Sequence, residues 1–162
     1  MDLASEYRRS ETGEPFERRW GWRGGAVAGA VATVVMGLVI SLMQLSTLRV
    51  AIAGLYGFEG SLLAGWTAHL IHGSLFGVVF AAILADPGLY RVTEWVWKTI
   101  LAGVVYGLVL AVVGAGIVMP IWLGVVGVSI GTSLPNVTVP LLVWHAVYGV
   151  VLGGLFPFVE GL

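Results

Sequence analysis

The chain has 162 residues, 58% of them apolar and 10% charged, with a net charge of −1 and no cysteine, and its mean hydropathy is +0.95. A water-soluble domain of this size would carry far too little polar surface to cover it, so lipid is the solvent. The near-neutral balance, with no basic cluster beyond two Arg pairs near the N-terminus, speaks against nucleic acid as a partner, and the missing cysteines exclude disulfides, thiolate metal sites and Cys nucleophiles.

Residues 1–23 read as a cytoplasmic polar tail, disordered or lying at the membrane interface. Its five Arg are matched by Asp2, Glu6, Glu11, Glu14 and Glu17. Four stretches then lack Asp, Glu, Lys and Arg altogether: about 24–48, 62–85, 99–119 and 140–159, with 25, 24, 21 and 20 residues. A spanning helix needs about 20 predominantly apolar residues, so each predicts a transmembrane helix. The first is too long for the apolar core of a signal peptide, which runs to about 7–15 residues, and reads as a retained helix.

Residues 24–162 therefore predict one all-α integral membrane domain, a four-helix bundle in a plasma (inner) membrane. Arg8, Arg9, Arg18, Arg19, Arg23, Arg91 and Lys98 fall on one side and only Arg49 on the other, which places both termini in the cytoplasm. Trp20, Trp22, Trp95 and Trp97 stand where an aromatic belt on that face belongs. The uncharged stretch 120–139, with Pro120, Gly124, Gly127, Gly131 and Pro135, is too apolar for a solvated loop and reads as re-entrant or interfacial. It holds the sequon Asn136-Val137-Thr138, whose closeness to the fourth span argues against glycosylation.

The spans repeat. His69-x3-Gly73-x3-Gly77 in the second returns as His145-x3-Gly149-x3-Gly153 in the fourth, an offset of 76, with Phe80 and Phe156 following. Gly25, Gly29, Thr33, Gly37 and Ser41 in the first match Gly103, Gly107, Ala111 and Ala115 in the third, an offset of 78. The pattern predicts two tandem two-helix repeats. Each unit crosses twice, so the symmetry axis should lie along the membrane normal, with spans one and three facing each other and two facing four. Small residues four apart make a GxxxG-like stripe along which helix backbones approach closely.

His69, His72 and His145 are the most readily titratable groups inside the spans, and an intramembrane ionisable group is a functional-site candidate. The repeat sets His69 and His145 at matching depth, roughly 10 Å below the outer helix ends, on the stripe that faces the bundle. The plain alternative is that the imidazoles hydrogen-bond across helices to Ser41, Gln44, Tyr106 or Tyr148 as polar glue. The functional one is a proton or solute pathway, with Tyr106, Tyr148, Gln44 and Ser74 as its polar wall. At neutral pH at least one of two such close imidazoles should be neutral.

A third possibility is a b-type haem held between His69 and His145, with a glycine one turn away on each helix giving the macrocycle room. Only Arg49 is at hand for its propionates. A Soret band lost in His69→Ala and His145→Ala would mark it. Otherwise no cofactor is expected, and two or three His without a carboxylate under-ligate zinc, which leaves no metal site. No triad, Walker loop or HExxH motif supports an enzyme. The expected partner is the bilayer, with a second copy or another membrane protein as a further option.

Four short patterns carry a family resemblance: Ala68-His69-x6-Phe76-Gly77, Gly103-x2-Tyr106-Gly107-Leu108, Val118-Met119-Pro120 and Trp144-His145-x2-Tyr148. Across about Gly25 to Phe158 the chain resembles the YagU-type inner-membrane proteins and related small archaeal multi-pass membrane proteins. The resemblance implies a helical membrane protein of uncharacterised activity, with one bacterial relative linked to acid tolerance. The family's two His and its Met-Pro turn fall on His69, His145, Met119 and Pro120. The chain departs from that pattern at His72 and over 120–139. A histidine-kinase label carried by some archaeal relatives does not fit, since no length remains for an ATP-binding domain.

Overall fold

The computed structural model describes residues 21–128 and 134–162; most of the polar tail lies outside them. Four helices are long and apolar enough to cross a membrane: α1 Trp22–Gln44, α2 Leu62–Leu84, α3 Val96–Val125 and α4 Val139–Val159. No strand occurs among the described residues. At 1.5 Å per residue, a 23-residue helix such as α1 is about 34 Å long, enough for a hydrocarbon core of about 30 Å. Large side chains such as Leu42, Leu63 and Val139 lie on the outside of the bundle, as a protein solvated by lipid requires. Trp22, Trp95 and Trp97 form an exposed belt at the terminal end, with Arg23 and Lys98 over their rings at 5.3–5.6 Å. Trp20 lies outside the described residues.

Local chemistry sets the helix ends. Ser61 and Thr138 cap α2 and α4, accepting from Ala64 N at 3.2 Å and Leu141 N at 3.4 Å. Between α1 and α2 the chain turns at Gly57 (φ 77°) and Gly60 (φ 92°), where only a residue without Cβ is unstrained. Arg49 holds this turn: Gly60 N donates to its carbonyl (2.7 Å), and its Nε donates to the Gly60 carbonyl (3.2 Å).

Two differences from the expected spans follow from π-helical distortions. The first helix does not stop near Leu48; it continues through a π segment, Thr47–Ile52, whose Leu48 and Ile52 are buried. The third does not stop at Met119; it passes through a longer π segment, Leu110–Val118, and runs on through Pro120 to Val125. Pro120 has no N–H to give to the Gly116 carbonyl one turn back. Asn136 N donates to that carbonyl at 2.8 Å instead, tying the 134–138 segment across α3. The first third of the stretch read as re-entrant is thus part of a spanning helix, and residues 129–133 lie outside the described ones.

The helix backbones meet most extensively in the pairs α1–α2, α3–α4 and α1–α4. This corrects the expected facing of spans one and three: each packs first on the helix that follows it. A Cβ on Gly25 or Gly29 would run into the backbone of Gly73 and Gly77, and one on Gly103 or Gly107 into that of His145, Gly149 and Gly153. The two seams are not equivalent. Gly25 lies on the Gly77 carbonyl, whereas its counterpart Gly103 lies on that of Gly149, four residues before the counterpart of Gly77. The second hairpin is slipped by one helical turn. Nor does α2 approach α3 as α1 approaches α4, and the gap between them is filled by side chains and by a cavity.

Candidate functional site

The seal at the terminal end of that gap is built from aromatic groups. Phe80 and Phe156, matching positions of the two hairpins, meet edge to face at 5.6 Å, and Phe80 packs on Tyr106 at 5.4 Å. The Tyr106 hydroxyl crosses the gap to donate to the Phe76 carbonyl (2.8 Å), and the Tyr148 hydroxyl donates to the Gly73 carbonyl (2.7 Å). A helix carbonyl keeps a second lone pair, so both hydroxyls are satisfied without breaking the α2 ladder.

Beyond this floor, toward the 45–61 connection, lies a cavity of about 860 Å3. All four helices wall it, and both π segments face it, through Val50 and Ile52 on one side and Gly114 and Val118 on the other. Such distortions shift the facing of every later side chain and recur at functional sites. His69, His72 and Phe76 reach the cavity from one face of α2, and Leu141, His145 and Tyr148 from one face of α4, at the spacing a helix face requires.

The three imidazoles stand differently. His69 is 7% exposed and its Nε2 is buried with no partner. Gly37 makes the room: a Cβ there would overlap the Trp66 ring and stand 3.1 Å from His69 Cδ2. His145 Nδ1 lies 2.9 Å from the Leu141 carbonyl, which fixes the proton on Nδ1 and leaves Nε2 as an acceptor. His72 Nε2 pairs at 2.5 Å with the hydroxyl of Tyr56, a loop residue that no sequence pattern marked.

The cross-helix partners expected for these rings are therefore not the ones found. Tyr106 and Tyr148 serve α2 carbonyls, His145 bonds within its own helix, and Ser41 Oγ is buried without a partner. Gln44 is exposed and lines the cavity beside Ser46 and Thr47, while Ser74 does not line it. Thr33, Met36 and Trp144 do, though sequence reasoning did not assign them to the site. The first was legible as a larger residue on the small-residue stripe.

A haem between His69 and His145 would use the free Nε2 atoms, but the clearance ascribed to the glycines is taken. A Cβ at Gly73 would overlap Thr33, and one at Gly149 would overlap the Gly103 backbone. Arg49 does not line the cavity. The site does not fit a macrocycle at those positions. Comparison with family models, curated proteins and solved structures finds no match for this chain, and its site is read from its own geometry.

Proposed function

We propose that the chain is a multi-pass membrane protein that admits a small solute or a proton into a paired-histidine interior, and acts as a pathway or stress-related accessory protein. The observation that carries this reading is the cavity of about 860 Å3 with the unpartnered Nε2 of His69 in its wall. A bundle selected for packing alone would close such a gap, because unfilled volume forfeits contacts on every side. Descent from two tandem hairpins, and kinship with the YagU-type proteins, belong to the same proposal. A glycine seam within each hairpin, though the second is slipped by one turn, supports the first, and supports these glycines as GxxxG-type packing sites. The distribution of Lys and Arg supports cytoplasmic termini, with the cavity opening to the opposite face.

Proteoliposomes loaded with a pH-sensitive dye test the pathway. Under a gradient between about pH 7 and about pH 5, which brackets imidazole titration, proton entry should exceed that of empty liposomes and fall in the His69→Gln, His145→Gln double variant. The other titratable groups of the cavity are His72, Tyr56 and Tyr148; no described Asp, Glu, Lys or Arg lines it. Equal rates, with folding intact, would leave the pair as structural hydrogen-bonding groups. A second reading, assembly with another membrane protein, draws on α3, the least buried of the four spans. Stable co-purification with such a protein would favour it.

A further inference from the structure

We infer that the cavity takes an uncharged amphiphile bearing a hydroxyl donor, of the phenol or quinol class, with its hydroxyl on the acceptor Nε2 of His145, beside the unpartnered imidazole of His69. This rests on the reading of the cavity as a solute site and names the kind of solute.

Hydrogen-bond accounting on the wall leads there. Several donors that face the cavity from within the spans are already committed. Thr33 Oγ1 donates to the Gly29 carbonyl (2.6 Å), Tyr148 to Gly73, Trp144 Nε1 to Met43 Sδ (3.3 Å) and Trp122 Nε1 to the Leu55 carbonyl (3.0 Å). His72 Nε2 and the Tyr56 hydroxyl share one bond, which leaves one donor of that pair over. His145 spends its N–H on Leu141. His69 also lines the cavity, and its Nε2, on a residue 7% exposed, is buried without a partner. A buried polar atom left in that state costs free energy, which a donor arriving with the ligand would recover.

Charge narrows the class. The described carboxylates, Glu59, Asp86, Glu94 and Glu160, all lie outside the cavity wall, so an ammonium would be desolvated without a counter-ion. A carboxylate ligand would find no described Lys or Arg in the wall and would meet the acceptor Nε2 of His145. The polar groups with donors to spare, Gln44, Ser46, Thr47 and Asn136, belong to the helix ends and connections. The remaining wall, including Met36, Ile40, Phe76 and Leu110, is apolar and suits a hydrocarbon or aromatic body. The volume of about 860 Å3 falls within the range of about 300–1,000 Å3 common for small-molecule pockets.

Binding of para-hexylphenol and of its methyl ether, para-hexylanisole, to the full-length protein in nanodiscs, corrected with empty nanodiscs, isolates the donor. The two share one apolar body and differ in the O–H. The phenol should bind about ten-fold more tightly, which is the net worth of one buried hydrogen bond. That preference should vanish in His145→Leu while ether binding persists. The ligand comparison on the parent protein decides the matter even if the variant fails to fold. Equal affinities, or a preference that survives His145→Leu, would overturn the donor assignment and leave a solute cavity standing. Binding of neither compound would overturn both.

Discussion

Gly153 and Gly154 are neighbours on α4, yet a methyl group added to each meets opposite surroundings. At 153 the new Cβ would stand 2.8 Å from Ile100 Cα and 2.8 Å from the Thr99 carbonyl carbon, backbone atoms that no rotamer change can move. At 154 the nearest atoms belong to the flexible Ile100 side chain, at 3.8 and 3.9 Å. Ordinary contact begins at 3.4 Å and the Thr99 carbonyl oxygen stands closer than either carbon, so Gly153→Ala must part α3 from α4 by about 1 Å, a gap that forfeits up to about half of the dispersion energy of each contact it opens. With the strain of overpacking, the loss should come to about 2–3 kcal/mol. Gly154→Ala removes a helix-destabilising glycine without a clash and should be neutral or stabilising by up to about 1 kcal/mol. Equilibrium unfolding in mixed micelles of a mild detergent and SDS, followed by far-UV circular dichroism, gives both values. Equal effects, or a harmless Gly153→Ala, would show that the α3–α4 seam does not depend on backbone contact at this glycine.

Tyr148→Phe deletes the bond to Gly73 while keeping the ring, and should cost about 0.5–1.5 kcal/mol in the same assay; no change would mean that the hydroxyl finds an equal partner elsewhere. Pro120→Ala restores an N–H that competes for the Gly116 carbonyl, so the Asn136 amide should exchange with solvent faster in the variant, and unchanged protection would disconnect the two. Reporter fusions at Glu59 and at the C-terminus should report opposite faces of the membrane, with Glu59 outside; a cytoplasmic Glu59 would overturn the sidedness taken from Lys and Arg.

The four spans were legible because lipid imposes a length and forbids charge, and both constraints are written directly in the residues. Their ends were less so: Leu48 and Met119 closed the apolar runs, but helices end where backbone partners run out, and the π segments carry both chains further. Pro120 was readable as a break, whereas its actual effect is to free one carbonyl for Asn136. The glycine stripes marked the close approaches but not which helix each stripe meets, because a stripe of small residues is complementary to any other. His69 and His145 were found from their repeat spacing. The partner of His145 was not, since Leu141 offers a backbone carbonyl, which every residue possesses, nor was that of His72, since Tyr56 comes from a connection without periodicity.

The tight seams of this bundle, α1 on α2 and α3 on α4, join segments that are neighbours in the chain. Each hairpin can therefore complete its own seam as it enters the bilayer, the first while the second is still being made, and contacts so local form early. The chamber belongs to neither hairpin. It comes into being only at the later docking of α1 against α4, when α2 and α3 are left apart with aromatic rings between them. A chain severed at the exposed turn around Gly88 would keep both seams intact, and the meeting of its two halves would be the event that creates the cavity.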